Sequence, residues 1–208
     1  MTKTAITGGI GSGKSYVCRL LAQRGIPVYD CDAAAKRLMR SSDKLKDSLR
    51  QLVGNDVYTA DGTLQKRILA EFLLASEQNK QAVNDIVHPA VANDFRASGM
   101  EWLESAILFE SGFDRRVAFD HTVCVCAPRQ TRIQRIVQRD SISEAKAAEW
   151  IDAQMPQDEI IRRSDFRIDN DGIRSLETQI DSILASIGSN GTQKAQKPQR
   201  QQKKRHNL

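Results

Sequence analysis

Gly8-Gly9-Ile10-Gly11-Ser12-Gly13-Lys14-Ser15 follows the spacing G-x-x-x-x-G-K-[ST] of a phosphate-binding loop. Glycines at 8, 9, 11 and 13 let the chain curl tightly, because a residue without Cβ adopts conformations closed to others. The curled amides of Gly8, Gly9, Gly11, Ser12 and Gly13 form an anion-sized concavity, and the helix that follows aims its positive end at the same spot. In this pattern Lys14 reaches the β- and γ-phosphates and the Ser15 hydroxyl ligates Mg2+. The flanks have the required order: Lys3–Thr7 is short and β-branched, a buried strand, while Tyr16–Arg24 suits a helix stopped by Gly25.

A chain of 208 residues accommodates one α/β domain with a modest second lobe. Its 40% hydrophobic and 27% charged content is that of a soluble globular protein. No apolar run reaches the roughly eighteen residues of a membrane span, and the glycine loop follows Met1 too closely for a signal peptide. The expectation is a cytoplasmic protein with no membrane partner. Cys18, Cys31, Cys124 and Cys126 lack a C-x-x-C pair, which favours reduced core thiols over a zinc site. The net charge of +5 is carried by the end of the chain. Residues 189–208 hold six Lys and Arg and no acidic residue, leaving 1–188 at −1. Rich in Gln and Lys, 189–208 reads as a disordered basic tail, a solubilising extension rather than a specific nucleic-acid reader.

Beyond the first helix, Ile26–Asp30 reads as a second strand, followed by an alanine-rich helix over Ala33–Met39. Parallel strands joined by helices deliver their C-terminal ends to one sheet edge, where open α/β sheets bind ligands. Asp30 and Asp32, two apart on an extended segment, point the same way. Asp32 either orients an acceptor hydroxyl and takes its proton or caps the next helix, and the two roles are compatible. Residues 41–98 read as helical almost throughout, a length that suits an acceptor-binding insertion better than a connector. His88-Pro89 breaks that run, with His88 either a packing residue or a functional one.

Trp102–Phe109 reads as a buried central strand. Its terminal Glu110 either reaches the magnesium or its waters, or caps the turn at Gly112. His121–Cys126 is the next strand. The helix after Pro128 carries Arg129, Arg132, Arg135 and Arg139 on one face, a phosphate clamp or a solvated basic stripe. Ser143–Gln154 reads as a helix, Phe166–Asp169 as the last strand, and Ile173–Ile187 as an amphipathic closing helix. The fold class is α/β: a three-layer P-loop nucleotidase fold with about five mostly parallel strands, a helical substrate-binding insertion and a lid.

Taken in order, these segments resemble the dephospho-CoA kinase family. The matches are Thr7–Ser15, Asp30-Cys31-Asp32 for the family's Asp-Ala-Asp, His88-Pro89, Leu108-Phe109-Glu110-Ser111-Gly112, Arg135, Arg139-Asp140, Gln154-Met155-Pro156 and Ile168-Asp169-Asn170. They span roughly residues 4–187. The resemblance implies ATP and dephospho-CoA as substrates, Mg2+ as cofactor, and a monomer or weak homo-oligomer. Catalysis then rests on Asp32, Lys14 and Arg139. ATP contacts fall on the glycine loop through Ser15 and Tyr16, with Arg135 and Arg139 beside a lid at about 139–165. The acceptor falls to Asp32, Lys36, His88 and Glu110, the insertion being 41–99 and the core 1–40 with 100–188. The chain departs from the family pattern at Tyr16 for threonine, Lys36 for arginine, Gln65-Lys66 for Asp-Arg and Ala106 for proline. Lys36 keeps the charge but loses arginine's two-pronged donor.

Three rivals remain on the sequence: a kinase of similar build acting on a nucleoside or nucleotide, a GTPase switch, and a nucleic-acid binder working through the tail. The GTPase reading needs an Asn-Lys-x-Asp segment, and Asn79-Lys80-Gln81-Ala82 lacks the aspartate.

Overall fold

A computed structural model describes residues 2–194. The strands are β1 (Thr4–Thr7), β2 (Val28–Asp30), β3 (Trp102–Glu104), β4 (His121–Cys126) and β5 (Phe166–Asp169). They form one sheet in the order β2-β3-β1-β4-β5, and every pairing is parallel. The glycine loop leaves β1 and enters α1 (Lys14–Gln23). After β2 come α2 (Cys31–Ser41), α3 (Asp43–Val53), a 3-10 turn over Asn55–Val57, α4 (Lys66–Ala75) and α5 (Glu77–Ser98). After β3 stand α6 (Phe113–Arg116), then β4, α7 (Arg129–Asp140), α8 (Glu144–Asp152), α9 (Gln157–Arg162), β5 and α10 (Leu176–Lys194).

Period-two alternation along the strands divides the core into two layers. Ile6, Trp102, Val123, Val125 and Ile168 face α1 and α10, where Val17, Leu21 and Ile180 cover them. Ala5, Tyr29, Leu103, Cys124 and Cys126 face the other way, toward Leu45, Leu49, Val87, Val91 and Phe95 of the helices between β2 and β3. Those helices therefore pack on the sheet itself, continuous with its core. A smaller cluster of Ile133, Ile136, Ala147 and Ile151 joins α7 to α8. Cys18, Cys31, Cys124 and Cys126 are free thiols, and burial pushes that of Cys18 up to about 12. Among the described residues no helix is long and apolar enough to cross a membrane.

Three expectations change. The central strand stops at Glu104, because its pairing with β1 and β2 ends at Ile6↔Glu104 and Asp30↔Glu104. The apolar residues 106–109 form a turn instead of extending it. His88-Pro89 does not break the helical run: α5 passes through Pro89. Val83, Val87, Val91 and Phe95 make one buried stripe on both sides of the proline, and that burial outweighs the single backbone hydrogen bond it forfeits. The closing helix begins later than expected and runs to Lys194, past the boundary at 188, since extending a formed helix is far cheaper than starting one. The rest of the expected basic tail, 195–208, lies outside the described residues.

Candidate active site

β2 and β3 end together at the Asp30↔Glu104 pair, opposite Ile6 and one residue before the end of β1, which places the loop, Asp30 and Glu104 together. Gly13 takes φ +95° as it leads into α1, where a Cβ would collide with the Asn170 amide. Lys14, only 9% exposed, folds back so that its Nζ donates to Gly8 O at 2.9 Å and Gly9 O at 3.4 Å. The Glu104 carboxylate stands 3.7 Å from that ammonium. Burial holds the Lys14 ammonium below its usual pKa despite the carboxylate beside it. Burial, together with Asp30 and Asp32, raises Glu104 despite the ammonium.

The carboxylate at the end of the central strand, the position expected for Glu110, is that of Glu104. Glu110 lies in the turn beyond the strand and accepts a hydrogen bond from the Met155 amide at 3.1 Å. A glutamate at the end of Trp102-Leu103-Glu104 was visible in the sequence, but the longer apolar run after it drew attention away.

Asp32 and Asp30 do not lie on one extended segment, because α2 starts at Cys31. Asp30 is the helix cap, accepting from Ala33 N at 2.9 Å. Asp32, in the first turn, has a largely exposed carboxylate paired with Lys36 one turn along. Asp32 and His88 line the same cavity of about 370 Å3, walled by Ala35, Val87, Ile107 and Phe113. His88 stacks edge-on against Phe113, with ring centres 6.3 Å apart. Its buried Nδ1 lacks a well-oriented partner, although the Ser111 backbone approaches the ring. Burial and Arg116 lower its pKa, with Asp85 opposing. A second cavity of about 680 Å3 adjoins the first through Met39, Leu69 and Leu73, and four cations, Lys36, Arg40, Lys46 and Lys66, line it against one acid, Asp61.

The arginine stripe of α7 does not act as one unit. Arg129 forms a forked pair with Asp152, at 2.6 and 2.9 Å. Arg132 is buried against the loop, its Nε donating to Ile10 O at 2.8 Å. Arg135 donates to the carbonyls of Gly11 and Ser12 and to Asn170. It braces the loop from the side of α7. Arg139 is exposed and pairs with Asp140 at 2.7 Å. Tyr16 is 44% exposed, with the Arg19 guanidinium 5.3 Å from its ring centre.

Sequence reasoning also passed over Asn170 and Gln154. Asn170, 8% exposed at the end of β5, donates from Nδ2 to Ser12 O at 2.8 Å. Gln154 Oε1 accepts from the Ile10 amide at 2.7 Å. Both belong to segments with recognisable patterns, but nothing local to either shows that it returns to the loop from 144 or 158 residues away.

The residues present fit a magnesium nucleotide. The Ser12 hydroxyl is buried without a partner, Ser15 is exposed at the first turn of α1, and Glu104 faces the loop. Among the described residues no three ligating side chains form a ready cage. Mg2+ in kinases needs none, since it binds through one or two protein oxygens plus phosphates and waters.

Comparison with known proteins decides which kinase this is. The family model described as dephospho-CoA kinase matches residues 3–175. The chain belongs to the dephospho-CoA kinase family. A dephospho-CoA kinase of Bacteroides fragilis is 42% identical over 192 residues, covering 89% of this chain and 92% of that one. A crystal structure of a Thermus thermophilus protein superposes with a TM-score of 0.73 at 31% identity, covering 90% of this chain and 97% of the other. The dephospho-CoA kinase of Campylobacter jejuni, 19% identical, shares the fold with a TM-score of 0.61 over 91% of this chain and 98% of its own. As a member of this kinase family the protein is a phosphotransferase built on the P-loop kinase fold.

Proposed function

We propose that this protein transfers the γ-phosphoryl group of ATP to the ribose 3′-hydroxyl of dephospho-CoA, giving CoA and ADP. The observation that carries the reading is the shared cavity: Asp32 and His88 meet in one concave site, and Asp32 lies close enough to Glu104 to raise its pKa. The acceptor cavity is thereby coupled to the phosphate loop.

The loop amides and Lys14 hold the triphosphate, and Lys14 exchanges its carbonyl contacts for phosphate oxygens. Ser15 and Glu104 are the groups that would hold Mg2+, which when bound would neutralise charge on the phosphates. Asp32 orients the acceptor hydroxyl and takes its proton, leaving the oxygen to attack the γ-phosphorus in line. Lys36, paired with Asp32, holds that carboxylate in place. His88 forms part of the cavity wall. The adjoining basic cavity supplies room and positive charge for the acceptor's diphosphate. The insertion 41–99 is thus the acceptor-binding unit, and the helices between residues 139 and 165 are its lid, with Arg139 on the lid's stem. Closure would exclude water as a competing acceptor. A soluble cytoplasmic monomer or weak homo-oligomer suits such an enzyme.

A coupled ADP-release assay with dephospho-CoA, AMP, CMP and shikimate as acceptors tests the reading. Turnover with dephospho-CoA at least a hundredfold above the others is expected on the scale of good substrate discrimination. Preference for any other acceptor overturns it.

A further inference from the structure

The cations packed on the glycine loop are not matched by ion pairs. Lys14, Arg132 and Arg135 all press against it, and Glu104 is the one carboxylate in ion-pair contact with any of them among the described residues. Arg132 is the extreme case. It is 5% exposed, donates its Nε to Ile10 O, and has no carboxylate within ion-pair distance among the described residues. The acid next to it, Asp152, is taken by Arg129. A Cβ added to Gly9 would collide with the Arg132 guanidinium, so the flat head lies directly on the loop backbone. Burial and then the neighbouring Arg129 cation depress its pKa, with Cys126, Cys124 and Asp152 opposing.

Burying a guanidinium without a counter-charge is costly, and the cost persists only where something else repays it. We propose that Arg132 is a positioning residue for the nucleotide: it ties back the Ile10 carbonyl and supplies a buried positive charge that the polyphosphate of the bound nucleotide completes. This rests on the kinase reading of the loop but not on the identity of the acceptor. Arg132 thereby couples occupancy of the loop to the stability of α7. It also explains why position 9 holds glycine, since any side chain would displace the guanidinium from the loop.

Binding of ADP and of inorganic tripolyphosphate to the full chain, by calorimetry, tests this without any acceptor. Arg132→Met and Arg132→Gln are expected to weaken both by about tenfold, the scale of a lost charge-assisted contact. The ligand-free proteins should melt no lower than wild type. Arg132→Lys should recover most of the affinity, and in steady state the KM for ATP should rise while that for the acceptor stays within about twofold. Tripolyphosphate affinity unchanged in Arg132→Met, or an Arg132→Lys protein binding no better than Arg132→Met, overturns the proposal. Either result would leave Arg132 a neutral pin on the loop, even with kinase activity intact.

Discussion

The Lys14 ammonium and the Glu104 carboxylate face each other at 3.7 Å inside the mouth of the glycine loop, both largely buried. Burial drives the two toward neutrality, the lysine down and the glutamate up, so neither charge is fully satisfied by the other. A magnesium nucleotide would relieve both, giving Lys14 a phosphate and Glu104 a cation. Glu104→Gln should therefore lower kcat by about a hundredfold, the scale of removing one preorganised electrostatic group. ADP affinity measured without Mg2+ should stay near normal, which a collapsed loop would not allow.

Glu110 provides the contrast. Its carboxylate accepts from the Met155 amide and lies outside the cavity that holds Asp32. Glu110→Gln keeps an acceptor oxygen for that amide, so kcat should stay within about threefold of wild type, the range of a partly exposed neutral contact. Steady-state kinetics of the two variants side by side separates the assignments: a hundredfold loss in Glu110→Gln with little in Glu104→Gln would restore the sequence-based choice.

How far the sequence could be read depends on how local the deciding physics is. The loop, α1, β4 and β5 are set by patterns within ten residues of one another, and their bounds emerged nearly as the structure has them. β3 was overextended because a short apolar run does not distinguish a strand from a buried turn. Pairing with β1 and β2 ends it at Glu104, and that is a long-range fact. Pro89 was given too much weight, since the stripe Val83-Val87-Val91-Phe95 continues across it. Arg132, Asn170 and Gln154 act on the loop through tertiary contacts that no spacing announces. The shared cavity of Asp32 and His88 was legible only through the family resemblance.

The basic cavity next to the acceptor site makes a claim on KM. Arg40 and Lys66 line it, and among the described residues no ion pair engages either. The double variant Arg40→Ala with Lys66→Ala should raise KM for dephospho-CoA by about tenfold, on the scale of charge-assisted contacts, with KM for ATP unchanged. A parallel rise in both constants would point to general unfolding of the insertion.

His88 makes a claim on pH. Its folded pKa is held below 6.5, chiefly by burial and then by Arg116, with Asp85 opposing. The unfolded chain therefore binds more protons as pH falls through 6.5, and stability drops in that window. Melting temperatures at pH 7.5 and 5.5 should fall less steeply for His88→Gln than for wild type. Equal slopes would mean that His88 stays neutral, or charges freely, in both states.

Asp32 carries the chemistry in this account, and the single-turnover rate of phosphoryl transfer from ATP to dephospho-CoA reads it most directly. With both substrates saturating, Asp32→Asn should transfer at least about a hundredfold more slowly than wild type, as expected for loss of a general base, while binding both substrates with undiminished affinity. Transfer at the wild-type rate would contradict the assignment of the base and, with it, the geometry proposed for the reaction.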